Sequence, residues 1–577
     1  MTLPSTESSI PLGPYTIYDP STGIYASRLP PPQIPSESIY QFCMGSVSFD
    51  DPTPAITDCS TGRSISYGEL KLRAQRFGLG LITKAKLKPG DTIMVALHSS
   101  IEFAVTVMAA QFAGLRVALA NPDYARKELQ HVYRLVKPKK VVIHSSYLGR
   151  AAAANIKTFT VVLTDTKLGR GGVLSVGELL ADEVPAKEAQ PFVPDDLNTT
   201  AYLPSSSGTT GLPKAVQISH FNVVSMLSMN LNTPGFIPDG LTPSGIRMLS
   251  FLPFFHAYGL NGQLHLILRM RGQLFILRPF AADTVCKALA THRINMFNCV
   301  PPALTKLSKH AGTDRSAFAT VKRIRCGAAP LDAETEARFS ALTGVEVKQG
   351  WGMTELTLAG LDPSSGSQTP GSVGCLIPST LARVVDVSSG LPVTPGQRGE
   401  LLIKGHQVFS GYLSNAEETK AAFTPDGFFR TGDVVVVDAH TGEFSIVDRL
   451  KELIKYQGFQ VAPAELEGIL ITHPSIAAAA VVGRYDKSTA TELPCAFVEL
   501  SASASSKIGK HKAASDELAR EIDQFVRSKV SHHKYLRGGI YLVDKVPVSA
   551  SGKILRKQVR AMLESLQPQP ALPHAKL

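Results

Sequence analysis

Tryptophan is almost absent from this 577-residue sequence, which holds one, and cysteine is sparse: Cys43, Cys59, Cys286, Cys299, Cys326, Cys375 and Cys495 form no Cys-x-x-Cys pair. No His/Cys spacing suits zinc, so a zinc module is excluded and free thiols in a reducing compartment are the expectation. Long apolar runs are missing as well. No stretch reaches the roughly 18 uninterrupted apolar residues that a membrane-spanning helix requires. The opening segment is rich in Pro, Ser and Thr but lacks a basic start and an apolar core, so it does not read as a signal peptide. Concentrated charge is also lacking. The net charge of +11 arises from 59 Lys and Arg against 48 Asp and Glu, yet the basic residues are dispersed. The nearest cluster, Lys137, Lys139 and Lys140, reads as a solvated helix end, and no nucleic-acid partner is expected.

What is present is the composition of a mixed α/β protein, 44% hydrophobic and 19% charged. The length exceeds what one core supports, so at least two packed units are expected. Turn signals and short apolar runs alternate with segments of helical period. Asp91 to Leu97 reads as a buried strand, Glu102 to Gly114 as a helix closed by a glycine cap, and Val141 to His144 as a further strand. That order argues for largely parallel sheets covered by helices. Gly399 to Val437 is denser in strands and turns and reads as a smaller β-rich piece. The charged run Asp448 to Glu452 marks a domain boundary, followed by about 125 residues, enough for a small core of their own. Within them, Ser501 to Lys512 reads as a solvated loop.

The strongest local signal is Leu203-Pro-Ser-Ser-Ser-Gly-Thr-Thr-Gly-Leu-Pro-Lys214. Glycines such as Gly208 let backbone N–H groups converge on an anion, the hydroxyls of Ser205, Ser206, Ser207, Thr209 and Thr210 add donors, and Lys214 adds a charge. This is a nucleotide-phosphate loop, although it lacks the G-x-x-x-x-G-K-[ST] spacing of a P-loop ATPase. The segment resembles the signature loop of the acyl-adenylate-forming superfamily, in particular its 4-coumarate–CoA ligase-like and luciferase-like branch. The family's other segments follow in order. Gln349-Gly350-Trp351-Gly352-Met353-Thr354-Glu355 resembles the second nucleotide segment, where an aromatic ring can stack on adenine, a threonine hydroxyl can reach the α-phosphate and a carboxylate can hold Mg2+. The family usually has Tyr where Trp351 stands. Phe429-Arg430-Thr431-Gly432-Asp433 matches the segment whose aspartate bonds the ribose hydroxyls. Asp448 to Val461 resembles the inter-domain junction, and Pro547 to Lys557 the catalytic-lysine loop.

The resemblance implies an α/β protein with a large N-terminal domain of two α/β subdomains plus a β-rich subdomain, and a small mobile α+β C-terminal domain. The expected divisions are 1–40 as an N-terminal extension, 41–448 as the AMP-binding domain, 449–567 as the mobile domain and 568–577 as a tail. It also implies roles. Lys553 offsets the repulsion between an anionic carboxylate and an anionic α-phosphate, a need that follows from the chemistry itself. Thr354, Glu355, His256 and Lys455 join it as catalytic candidates, with Glu355 as the Mg2+ ligand and Lys451 as the hinge. The nucleotide contacts implied are the phosphate loop, Gly327, Ala328, Ala329, Gly350, Trp351, Gly352, Thr354, Asp433, Arg449, Gln460 and Lys553. Around the acid it places Tyr258, Asn261, Arg325, Gly327 and Gly352. Arg325 replaces a common lysine, and Leu356-Thr357-Leu358-Ala359 replaces small residues and proline, which argues against a coumarate substrate.

The expected activity is therefore ATP-dependent carboxylic acid–CoA ligation: acyl-AMP and pyrophosphate form first, then acyl-CoA and AMP. The acid is aromatic, fatty or of specialised metabolism. Transfer to a carrier-protein phosphopantetheine is the alternative, and a luciferase-like oxygenase or an ATP-sensing scaffold is a more distant one. No covalent acyl-enzyme is required, so the cysteines need no catalytic role. The final Ala575-Lys576-Leu577 resembles a peroxisomal address, which implies a peroxisomal import receptor as partner and a peroxisomal location.

Overall fold

The computed structural model describes residues 9–563 apart from 167–171, 207–212, 330, 332, 363–367, 457–458, 487–488, 490, 509–511 and 550–551. Ala575-Lys576-Leu577 lies outside the described residues. The large N-terminal part contains three principal sheets. In the first, strands Leu174–Ser175, Val161–Leu163, Lys140–Ile143, Thr92–Ala96, Arg116–Leu119 and Thr200–Ser206 run parallel, and Lys214–Ser219 and Gly411–Tyr412 close it antiparallel. Thr92–Ala96 is buried at every position, the state of a strand covered by helices on both faces. Helix Ile101–Phe112 is one such cover. Ser100 caps its start and Gly114, at φ +69°, turns the chain out of it. A side chain there would lie 2.4 Å from the Phe192 ring, so both space and backbone demand glycine.

The second sheet orders Val347–Gln349, Arg323–Cys326, Met296–Cys299, Arg247–Ser250, Gln273–Ile276 and Pro54–Asp58 in parallel, with Ser64–Ser66 antiparallel at the edge. The third is wholly antiparallel and includes Thr380–Val385, Arg398–Gly405, Phe429–Val437 and Phe444–Arg449. It is the β-rich piece expected from the turn-dense sequence. The opening segment joins it through strands Ile10–Leu12, Thr16–Asp19 and Ile24–Ser27.

After Arg449 the chain forms a hairpin, Ile454–Tyr456 with Phe459–Val461, and then a three-stranded sheet of Ile476–Asp486, Thr491–Leu500 and Gly539–Val543. Helices Pro463–Ile471 and Lys512–Arg527 cover one side, giving this part a core of its own around Leu466, Val481, Ile522 and Ile540. One local expectation fails here. Within Ser501 to Lys512, Ala502–Ile508 is helical and Lys512 begins the next helix, where a loop was expected. Ser501 accepts from the Ala504 N–H at 3.4 Å, acting as a cap, and Ala504 is buried. Alanine's helix preference and one anchored side chain outweigh a run that reads as polar.

Candidate active site

The phosphate loop joins two neighbouring antiparallel strands, and their register sets Ser206 opposite Lys214 at its base. Ser207, Gly208, Thr209 and Thr210 lie outside the described residues. Ser205 is half-buried, its hydroxyl 3.5 Å from the Leu119 carbonyl. Lys214 pairs with Glu418, and its ammonium lies 4.9 Å from the centre of the Tyr412 ring. The Tyr412 hydroxyl in turn donates to Glu355 at 3.1 Å. These residues line a cleft of about 320 Å³ that reaches Arg449 and Lys451 at the domain junction.

Glu355 arrives on the opposite wall. Strand Val347–Gln349 ends at Gly350, whose N–H donates to the Cys326 carbonyl at 3.0 Å, and Thr354–Leu356 makes a single 3-10 turn. Thr357 then adopts φ +64° and ψ −38°, and the Leu358 N–H closes on the Leu356 carbonyl at 2.5 Å. A β-branched residue in that region is strained. The Thr357 hydroxyl holds the Gln407 carbonyl at 2.8 Å and its own carbonyl accepts from Asn261 at 2.8 Å. A Cβ on Gly352 would lie 1.7 Å from the Leu358 carbonyl oxygen, so the residue must be glycine. Gly327 and Ala328 follow strand Arg323–Cys326; Ala328 sits at φ +70°, a strained conformation of the kind that clusters at ligand sites. Ala329 continues the same turn.

Asp433 is nearly buried, with its side chain 4% exposed, and the Arg449 Nε lies 3.2 Å from its Oδ1. The two residues are also backbone partners in the third sheet. The Trp351 indole donates to Asp433 Oδ2 at 2.8 Å.

Lys553 enters from the other domain. Its loop is pinned by the Ser549 N–H to the Lys553 carbonyl at 2.7 Å and the Leu555 N–H to the Pro547 carbonyl at 2.9 Å. Gly552, at φ +78°, leaves so little room that a Cβ would reach within 3.2 Å of Val300 in the large domain. Burial, and next the Arg449 guanidinium, push the Lys553 ammonium down to about 8, while Glu452 and Asp433 oppose them. The same loop is anchored by Arg556, which donates to Glu452 at 2.7 Å, to both oxygens of Glu467 and to the Val481 carbonyl at 2.9 Å. Burial raises the Glu452 carboxyl, but the charge and hydrogen bond of Arg556, joined by the charges of Lys553 and Arg449, together hold the group below its ordinary value. Reading the sequence assigned no role to Arg556, Glu452, Glu467 or Glu418. The basic turn after Lys553 pointed at Arg556; nothing local pointed at its acidic partners.

Not every expected residue meets the nucleotide cleft in this arrangement. Lys451 is exposed at its edge, and Lys455 is exposed on the hairpin beyond. Lys455 and Gln460 are cross-strand partners in the register of the hairpin. His256 is half-buried against Phe255, and burial lowers its imidazole to about 4, so it is neutral at neutral pH. The Tyr258 ring lies beside Gly327 and Gly262, its hydroxyl donating to the Arg325 carbonyl at 3.2 Å. Arg325 pairs with buried Asp362, and its guanidinium covers the Phe236 ring at 4.1 Å. Asn261 is buried and bonded to His265 as well as to Thr357. All seven cysteines are free; burial pushes the Cys326 thiol well up, which leaves it protonated.

The family model described as AMP-binding enzyme matches residues 50–413, and that of the AMP-binding enzyme C-terminal domain matches residues 465–553. A 4-coumarate–CoA ligase of Narcissus pseudonarcissus is 32% identical over 547 residues, covering 94% of this chain and 96% of that protein. A phenylacetyl-CoA ligase of Aspergillus niger is 33% identical over 545 residues, covering 91% and 96% respectively. The ATP-bound structure of MatB from Rhodopseudomonas palustris superposes with a TM-score of 0.76 at 26% identity, covering 91% of this chain and 99% of that one.

Proposed function

This chain belongs to the AMP-binding enzyme family, and from that premise we propose how its residues divide the work. The enzyme is an ATP-dependent acid–CoA ligase. A carboxylate oxygen attacks the α-phosphorus and pyrophosphate leaves; the CoA thiol then attacks the acyl carbonyl and AMP leaves. Activation is needed because a carboxylate repels nucleophiles and has no acceptable leaving group.

One observation carries the assignment of the first step: the lysine loop of the small domain packs on the large domain at Gly552 and Val300, and the Lys553 ammonium there is near enough to Arg449 and Asp433 to feel their charges. There its ammonium offsets the charge that gathers on the phosphate oxygens. Lys214, Ser206 and the rest of the phosphate loop hold the β- and γ-phosphates, Thr354 reaches the α-phosphate, and Asp433 takes the ribose hydroxyls. Glu355, at the cleft wall with Tyr412 donating to it, fits Mg2+, which needs one or two carboxylates plus substrate phosphates and not a protein cage. When bound, the ion neutralises phosphate charge. Rotation about Lys451 withdraws Lys553 and brings the Lys455–Gln460 hairpin toward the site, with neutral His256 between the acyl pocket and the thiol entrance.

The acid we favour is aromatic, by likeness to ligases named for 4-coumarate and phenylacetate, with its ring between Tyr258 and Leu358 and its far end toward the Arg325–Asp362 pair. The test is mass spectrometry of reactions with MgATP, CoA and a panel of cinnamic, benzoic, phenylacetic and alkanoic acids. Acyl-CoA with AMP, greatest for an aryl acid, is expected. A preference for long alkanoic acids overturns the aromatic assignment, and acyl-AMP without acyl-CoA points to a carrier-protein acceptor. We also propose that Ala575-Lys576-Leu577 is a peroxisomal address; deletion of the tripeptide should leave a fluorescent fusion in the cytosol, and an unchanged distribution overturns it.

A further inference from the structure

Trp351 is the only tryptophan of the chain, and it does more than fill space beside the nucleotide cleft. Its backbone is fixed in both directions to Leu361, N–H to carbonyl at 3.0 Å and the reverse at 3.2 Å. Gly360 lies flat against the indole, where a Cβ would come within 2.8 Å of Cζ3. So constrained, the ring presents its one polar atom to Asp433 Oδ2 at 2.8 Å. Arg449 occupies the other side, 3.2 Å from Oδ1, and the Asp433 N–H donates to the Thr431 hydroxyl at 3.1 Å. The carboxylate is thus held at two points, by an ion pair on one oxygen and a hydrogen bond on the other. Each oxygen has a further lone pair, so the fixed carboxylate can still accept from a vicinal pair of hydroxyls.

We propose that Trp351 is a positioning residue for ribose recognition: its indole N–H orients the Asp433 carboxylate so that both oxygens meet the ribose diol of ATP. A tyrosine, usual in the family at this place, carries its donor at the ring tip and not on the ring edge that Trp351 turns to Asp433. This inference rests on Asp433 being the ribose contact.

The single tryptophan makes a clean test available. Replacing tryptophan globally with 3-benzothienylalanine, which has the indole shape but sulfur in place of N–H, alters this position alone. KM for ATP should rise roughly tenfold, as losing one hydrogen bond to a charged group predicts, with kcat at saturating ATP little changed. The preference for ATP over 2′-deoxy-ATP and 3′-deoxy-ATP should shrink severalfold, and W351F should behave in the same way. A loss of packing alone would not change that preference. Unchanged KM and unchanged preference in the benzothienyl protein overturn the proposal. If the unaltered enzyme does not distinguish ATP from its deoxy analogues, the ribose assignment of Asp433 falls and the proposal with it.

Discussion

Lys553 must hold a positive charge in surroundings that oppose one. Burial and the neighbouring Arg449 bring its ammonium down to about 8, so the charged form is present below that pH and is lost above it. Pyrophosphate release, measured as kcat/KM for the acid, should therefore fall as the pH rises through about 8, well short of the range of an ordinary lysine. In Lys553→Arg, which stays charged, that alkaline fall should vanish from whatever activity remains. Lys553→Ala should lower pyrophosphate release by about 10²–10³-fold, the cost of one preorganised electrostatic contact, while nucleotide binding followed by fluorescence stays close to normal. Arg556 is the complementary case, a cation surrounded by partners. Arg556→Met strands Glu452 and Glu467 in a buried site and should destabilise the small domain by about 3–5 kcal/mol, seen as a lower unfolding midpoint in denaturant. Lys553 stands out in the sequence because the proposed first step calls for a cation and this one sits in a turn that carries a glycine. The sequence hides Glu452 and Glu467 because their meeting with Arg556 depends on the tertiary packing of three separate segments.

At the level of elements, strands and helices with unbroken period were legible. Thr92–Ala96 and Lys140–Ile143 lie where apolar runs put them, and the glycine after Ile101–Phe112 closes that helix as its position implied. What the letters do not reveal is backbone held against its own preference. Thr357 is a β-branched residue at positive φ, and no propensity predicts it; the bond to Gln407 and the one from Asn261 impose it. Replacing it separates the two effects. Thr357→Val keeps the strain and leaves the Gln407 carbonyl without its donor, for an expected loss of about 1–3 kcal/mol. Thr357→Gly also loses the bond but releases strain of similar size, about 1–3 kcal/mol, and should unfold closer to the unaltered protein in parallel thermal melts. The helix Ala502–Ile508 failed to show in the sequence for the opposite reason, since its serines read as polar loop while one of them caps it.

For the whole molecule, the order of segments along the chain was the most informative feature, because phosphate loop, Trp351 segment, Asp433, junction and lysine loop converge only in one fold. The depth of the acyl pocket was not legible: the Arg325–Asp362 pair joins positions on different strands that only the folded sheets bring together. Motion can be tested at the junction. The last ladder pair of the third sheet, Asp433 with Arg449, leaves Lys451 just beyond it. Lys451→Pro should therefore spare pyrophosphate release more than thioester formation, compared in the two partial reactions; equal losses would argue against rotation at this residue. Across the interface the docking contacts include the Lys309 ammonium on the Ile476 carbonyl at 2.7 Å and Gly552 against Val300. Arg556, by contrast, bonds within the small domain, to Glu452, Glu467 and Val481. The lysine loop is consequently anchored from within the small domain. A small domain transplanted onto a related large domain would bring its loop ready shaped, and the success of such a hybrid would turn on the surface around Val300 and Lys309.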